Sequence, residues 1–181
     1  HSFGELSALY SAGWMDEAAF LKLSAARGKH MAHASLQDGD TGSMLAVKAP
    51  LEKIRSLIHD EKLDLVLANE NSPDQGVLSG PTHQIDAAKK ICRKHGMTAV
   101  KLPVAAAFHS RFVETAAIPF QEDLTQISFS PTAIPVLSNT TGKCYEKTVS
   151  EIKATLGNQL LHPVKFVDNL ETMVQQGVSV L

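Results

Sequence analysis

Three residues able to support nucleophilic chemistry lie far apart in this chain: a serine at position 2, an arginine at 27 and a histidine at 109. Ser2 sits in His1-Ser2-Phe3-Gly4-Glu5, which reads as the second half of a G-x-S-x-G nucleophile elbow. Such a turn lifts a serine hydroxyl to the start of a helix. Free backbone N–H groups and the positive end of the helix dipole there can hold an oxyanion, the Phe3 N–H among them. The same tetrapeptide also fits a serine that only caps a helix. Arg27 interrupts an apolar helical stripe, either as a fixed guanidinium offering a bidentate grip on a carboxylate or as a snorkelling side chain. His109 follows Ala105-Ala106-Ala107-Phe108, at a junction from which side chains reach into clefts, yet it is also one of eight histidines. On residue types alone, both readings of each stay open.

Around these residues the chain divides by periodicity. Leu6, Ala8, Leu9 and Ala12 predict a helix that Gly13 closes, and Asp16 opens a second helix carrying Phe20, Leu23, Arg27 and Met31 on one stripe. The stretch from Leu36 to Ser43 is polar and glycine-rich and marks a crossing into another unit. Beyond it, strands are expected at 43–47, 63–68, 76–80 and 101–104, with helices at 51–59 and 84–94 and a turn at Asn69-Glu70-Asn71-Ser72-Pro73. The order β-α-β-β-α-β is that of a ferredoxin-like unit, placed at residues 38–104. Residues 1–37 and 105–181 form the remaining, discontinuous body. Helices are expected there at 113–124, 150–161 and 167–175, and strands at Ile134–Asn139 and in Gly177-Val178-Ser179-Val180-Leu181. Strands alternating with helices give an α/β body. Its sheet is expected to be incomplete at both ends, because an elbow needs a strand before it and the last residues read as a strand entering the core.

Composition excludes some functions. The chain has 181 residues, 44% hydrophobic and 20% charged, with a net charge of −2. That is an ordinary globular composition, and its charge argues against a nucleic-acid partner held by bulk electrostatics. Cys92 and Cys144 stand far apart with no C-x-x-C partner, so neither a disulfide framework nor a zinc site is expected, and no metal at all. No apolar run approaches a membrane span, so no membrane partner and a cytoplasmic location are expected.

Several separated motifs together resemble one family. Beside His1-Ser2-Phe3-Gly4-Glu5 stand Arg27-Gly28-Lys29-His30-Met31, Asn71-Ser72-Pro73-Asp74-Gln75-Gly76-Val77-Leu78-Ser79-Gly80, Ala107-Phe108-His109-Ser110 and Gln159-Leu160-Leu161-His162-Pro163-Val164. In this order they resemble the malonyl-CoA:acyl carrier protein transacylases and the acyltransferase domains of polyketide and polyunsaturated fatty acid synthases. The resemblance implies a hydrolase-like core with a parallel sheet and the ferredoxin-like subdomain inserted into it. It implies a malonyl or related acyl group moved from CoA to the phosphopantetheine thiol of an acyl carrier protein through an acyl-serine, with no bound cofactor. It assigns Ser2 as nucleophile and His109 as base, with His109 oriented by the Gln159 carbonyl and no aspartate in the set. Phe3 gives an oxyanion N–H, Arg27 takes the substrate carboxylate, and Phe108 crowds a branch at the acyl α-carbon. Asn71 and Ser110 are expected at the same cleft. A second oxyanion donor belongs to a G-Q-G segment not found among these residues, so the chain alone is expected to lose much of its activity. Acyl-CoA, the carrier protein and other synthase domains are the implied partners. The alternatives are a serine hydrolase or esterase with the same elbow, or a non-catalytic docking module in a synthase.

Overall fold

The computed structural model describes residues 1–36 and 39–179. Gln37 and Asp38, within the expected crossing segment, and Val180 and Leu181, within the expected last strand, lie outside the described residues. Two helices open the chain, α1 over Gly4–Ser11 and α2 over Glu17–Ala34. Gly13 adopts φ +75° just past α1. The Asp16 carboxylate accepts the Ala19 N–H at 2.8 Å to cap α2. Next come β1 (Ser43–Lys48), α3 (Leu51–Asp60), β2 (Val66–Ser72), β3 (Gln75–Gly80), α4 (Thr82–Lys94) and β4 (Thr98–Lys101). The last stretch holds a short 3₁₀ turn at Arg111–Val113, α5 (Glu114–Thr125), α6 (Val149–Asn158), β5 (Val164–Lys165) and α7 (Phe166–Gln175). The fold is α/β, with a mixed sheet in the order β4-β1-β3-β2-β5.

The first four strands pair antiparallel, and β5 joins β2 in parallel with Asn69 opposite Val164. Side chains alternate between the two faces of a strand. Leu45, Val47, Leu67 and Leu78 therefore turn to one face, where they pack on Ile54, Leu57, Ile85 and Cys92 of α3 and α4. Met44, Ala68 and Val77 turn to the other, against Leu102, Val104 and Phe108. A separate core, built on Leu6, Leu9, Trp14, Leu23, Phe120, Leu124, Ile152 and Leu156, holds α1, α2, α5 and α6 together. The Trp14 indole N–H, inside that core, donates to the Ile134 carbonyl at 3.0 Å.

The expected elements recur with corrections. β2 begins and ends later than 63–68, so Asn69-Glu70-Asn71-Ser72 form strand rather than turn. Backbone pairing to β3 through two register shifts, and to β5, outweighs their polarity and leaves only Pro73-Asp74 as the turn. β4 ends at Lys101, not Val104: Leu102 donates one more bond to the Met44 carbonyl, and Pro103 then offers no N–H. Ile134–Asn139 makes only an isolated bridge, Leu137 to Cys144, in a loop that folds back on itself. Gly177–Ser179 carries no strand. The described residues of 1–37 and 105–181 contribute only β5 to a sheet, so the parallel sheet expected there is not formed by them.

Gly42 lies just before β1, against β3 and the segment that leads to His109. Its φ is +76°, and a Cβ there would stand 2.5 Å from the Ala107 Cβ and 2.8 Å from the Gly80 carbonyl oxygen. Gly42→Ala meets a left-handed backbone and a closed contact together. It is expected to destabilise the fold by roughly 2–4 kcal/mol, read as a lowered denaturant midpoint with unchanged slope.

Candidate active site

Ser2 takes φ +56°, a left-handed conformation that costs a non-glycine residue on the order of 1 kcal/mol. α1 starts two residues later, and Phe3, the residue at its N-cap position, makes no side-chain cap. Ser2 is therefore the apex of a strained turn, not the helix cap. Its own N–H is fixed by the Asn139 side-chain oxygen at 2.6 Å. Its carbonyl accepts the Glu5 N–H at 3.1 Å and the Gln159 Nε2 at 2.7 Å. The Phe3 N–H, among the described residues, has no acceptor and is free for a ligand oxygen.

The Ser2 Oγ lies 3.0 Å from the His109 Nε2. On the far side of the ring, Nδ1 stands 3.1 Å from the carbonyl oxygens of both Gln159 and His162. Carbonyls only accept, so Nδ1 carries the ring proton and Nε2 presents its lone pair to the serine hydroxyl. His109 is 4% exposed. Burial lowers its pKa to about 4, with the Arg27 charge pushing the same way against the two carbonyl bonds. The imidazole is neutral at pH 7. His109 also has φ +56°, a second left-handed residue at the same point.

Arg27 comes from the third turn of α2. Its Nη2 donates to the Ser2 Oγ at 2.9 Å and to the Gln159 Oε1 at 3.3 Å, and its Cζ lies 5.9 Å from the centre of the Phe3 ring. Burial lowers its pKa to about 10, partly offset by Glu5. Among the described residues no carboxylate forms an ion pair with it. A buried guanidinium without a counter-ion beside a serine hydroxyl is a ready place for an anion.

Beneath Ser2 lies a polar cluster. Glu5 accepts from the Tyr145 hydroxyl, from the Asn139 N–H at 3.2 Å and from the Gln159 Nε2 at 3.0 Å. Burial pushes the Glu5 carboxyl above its usual range despite these bonds, and burial raises the Tyr145 phenol. Gln159 is thus a junction, its carbonyl on His109 and its amide bridging Arg27, Ser2 and Glu5.

A model of the acyl transferase domain matches residues 1–181. The chain belongs to the acyl transferase domain family. A malonyl CoA-acyl carrier protein transacylase of polyketide biosynthesis, PksC of Bacillus subtilis, is 35% identical over 180 residues, which are 98% of this chain and 60% of that protein. The malonyl CoA-acyl carrier protein transacylase of Escherichia coli K12 is 33% identical across 99% of this chain and 58% of its own length. The crystal structure of the corresponding transacylase from Clostridium perfringens superimposes with a TM-score of 0.88 at 33% identity, covering 97% of this chain and 55% of that one. The acyl transferase domain chain spans between 15% and 60% of the first curated relatives it matches.

The fold of this acyl transferase domain brings Ser2, Phe3, Arg27, His109 and Gln159 to one point. Phe108 packs between the helical core and the second face of the sheet, immediately before His109. Asn71 joins none of them by a hydrogen bond among the described residues, and its Oδ1 is buried without a partner. The Ser110 hydroxyl is taken up by its own loop, donating to the Ala107 carbonyl and accepting the Phe112 N–H at 3.4 Å. Sequence reasoning missed Asn139, Tyr145, the His162 carbonyl and the side-chain role of Gln159, and gave Glu5 no task. Only Glu5 carried a signal, its place in the elbow motif. Among the described residues no three His, Cys, Asp or Glu side chains gather to hold a metal, and no helix is long and apolar enough to cross a membrane.

The His109 pKa sets an expected pH profile. An ordinary histidine is half protonated near pH 6.5, whereas His109 keeps its lone pair until about pH 4. Capture of Ser2 by a fluorophosphonate is expected to stay level from pH 8 to pH 5. An acid limb centred near 6.5 would show a solvated, unperturbed ring.

Proposed function

We propose that this domain transfers a malonyl group from CoA to the phosphopantetheine thiol of an acyl carrier protein, with Ser2 and His109 as the catalytic dyad. The reading rests on one observation above others: a buried, unpaired guanidinium 2.9 Å from the hydroxyl that also faces the imidazole. A simple esterase has no use for such a cation, whereas a malonyl group ends in a carboxylate that would neutralise it. The names of the relatives point the same way.

In the first half-reaction, His109 Nε2 takes the Ser2 proton as Oγ attacks the thioester carbonyl carbon. The oxyanion forms against the Phe3 N–H. Collapse breaks the carbon–sulfur bond, and His109 passes its proton to the departing sulfur, so that CoA leaves as the thiol and the imidazole is neutral again. In the second, the carrier thiol gives its proton to His109 and its sulfur attacks the acyl-serine. Ser2 then departs and recovers the proton. The Gln159 and His162 carbonyls stabilise the imidazolium in both halves. No cofactor enters the scheme. Arg27 would exchange its bond to Ser2 for a bidentate grip on the malonyl carboxylate, freeing the hydroxyl as the substrate binds. Phe108, adjoining the base, would crowd a branched acyl unit, and Asn71, with its unpartnered oxygen, would meet substrate at the same cleft.

For the architecture we propose a hydrolase-like body of residues 1–37 and 105–181 carrying a ferredoxin-like insert at 38–104. Support comes from the elbow at Ser2, the β-α-β-β-α-β order and the two separate cores.

Incubation of the protein with malonyl-CoA should leave a malonyl adduct on Ser2 that a carrier protein discharges. Malonate release without carrier product would point to a hydrolase instead. Carrier binding with no adduct would point to a docking module. Arg27→Ala is expected to lower malonyl transfer at least 100-fold while acetyl transfer changes less than about fivefold, since only malonyl loses an ion pair. Equal losses would make Arg27 structural.

A further inference from the structure

Outside the groups that meet substrate, one buried polar side chain breaks the pattern of its strand. β3 alternates Val77 and Ser79 on the face turned to the body, with Leu78 on the helix-covered face. Ser79 lies opposite Met44 in the register and is 0% exposed, at a position where its neighbours are apolar. A buried hydroxyl there must have a partner. It has one: Ser79 Oγ donates to the carbonyl of Phe108 at 2.8 Å. That carbonyl belongs to the peptide entering His109, whose backbone is left-handed.

The surrounding bonds give this contact its meaning. The Ala107 N–H donates to the Thr41 carbonyl at 3.0 Å, so the same loop is tied to the insert one residue earlier. Arg111, two residues after His109, forms a two-pronged pair with Asp64 at 3.0 and 2.6 Å. That pair is exposed on both sides and contributes little. The hydrogen bonds between the body and His109, among the described residues, are made by its ring, with the Gln159 and His162 carbonyls and the Ser2 hydroxyl. Ring and backbone are therefore gripped by different units. A histidine in a left-handed conformation relaxes unless its surroundings hold it.

We propose that Ser79 is a positioning residue for His109: its bond to the Phe108 carbonyl fixes the peptide plane from which the imidazole reaches Ser2. The inserted unit thereby sets the alignment of the base. This rests on His109 acting as the base for Ser2, as proposed above.

The test compares Ser79→Ala and Ser79→Cys with the unaltered protein, using malonyl transfer to a carrier protein, fluorophosphonate capture of Ser2 and thermal melting. Loss of one buried hydrogen bond to the loop is expected to slow both transfer (kcat) and capture about tenfold. KM for malonyl-CoA is expected within about twofold of its original value, because Ser79 touches no substrate. Ser79→Cys keeps the shape and a weaker donor, and is expected to fall between the two. Unchanged capture in Ser79→Ala overturns the proposal. So does a loss in which KM rises in step and melting falls sharply in both variants, since that marks a general packing role. If the unaltered protein takes up neither malonyl nor fluorophosphonate, the dyad itself falls and the role of Ser79 with it. If it takes up both while Ser79→Ala matches it, only the positioning role falls.

Discussion

Two backbone carbonyls decide what the His109 ring can do. The oxygens of Gln159 and His162 both approach Nδ1, and neither can donate. The proton must therefore sit on Nδ1 and the lone pair on Nε2, facing the Ser2 hydroxyl. An aspartate in this place would bring a charge that favours the imidazolium. Carbonyls orient the ring without that charge, and burial keeps it neutral. Everything else at the site keeps that geometry in place: the left-handed turns at Ser2 and His109, the amide of Gln159 and the buried cation beside it.

Gln159 links the two sides of this arrangement. Its carbonyl orients the histidine, while its side chain accepts from Arg27 and donates to the Ser2 carbonyl and to Glu5. A displacement of that residue would move the base, the elbow and the guanidinium together. Glu5 anchors it from below with Tyr145 and Asn139, so a carboxyl in the elbow motif serves as the floor of the site and not as a reactive group. Such networks specify one arrangement when every member is satisfied. The buried side-chain oxygens without a partner among the described residues, those of Ser24, Asn71 and Thr140, are not members of this network.

The sheet and the segment that carries His109 meet at close quarters. Gly42 has no room for a side chain against Ala107 and Gly80, and the open face of the sheet packs on Phe108, next to the histidine. The sheet is thus part of the structure that packs around His109. Among the described residues after β4, β5 alone joins the sheet, pairing with β2 at Asn69 and Glu70, and it follows the Gln159–His162 segment that orients His109.

Much of this was legible in the residues. The elbow, the helix carrying Arg27 and the β-α-β-β-α-β order follow from motifs and from periods of 3.6 and 2, which are local properties of a chain. The family resemblance pointed to Ser2, Arg27, His109 and Gln159 as partners, and these are the side chains and carbonyl that meet. What local rules could not decide was pairing. The polar run Asn69–Ser72 became strand because β3 and β5 flank it, and Ile134–Asn139 stayed a loop because its ladder, among the described residues, stops at the single bridge Leu137–Cys144. The serine of β3 looked like one more residue of a motif until its hydroxyl met the Phe108 carbonyl, 29 positions away. Asn139 and Tyr145, more than 130 positions from Ser2 and Glu5, carried no spacing that could announce them. A hydrogen bond between distant residues depends on where two backbones are brought, and only the tertiary fold sets that.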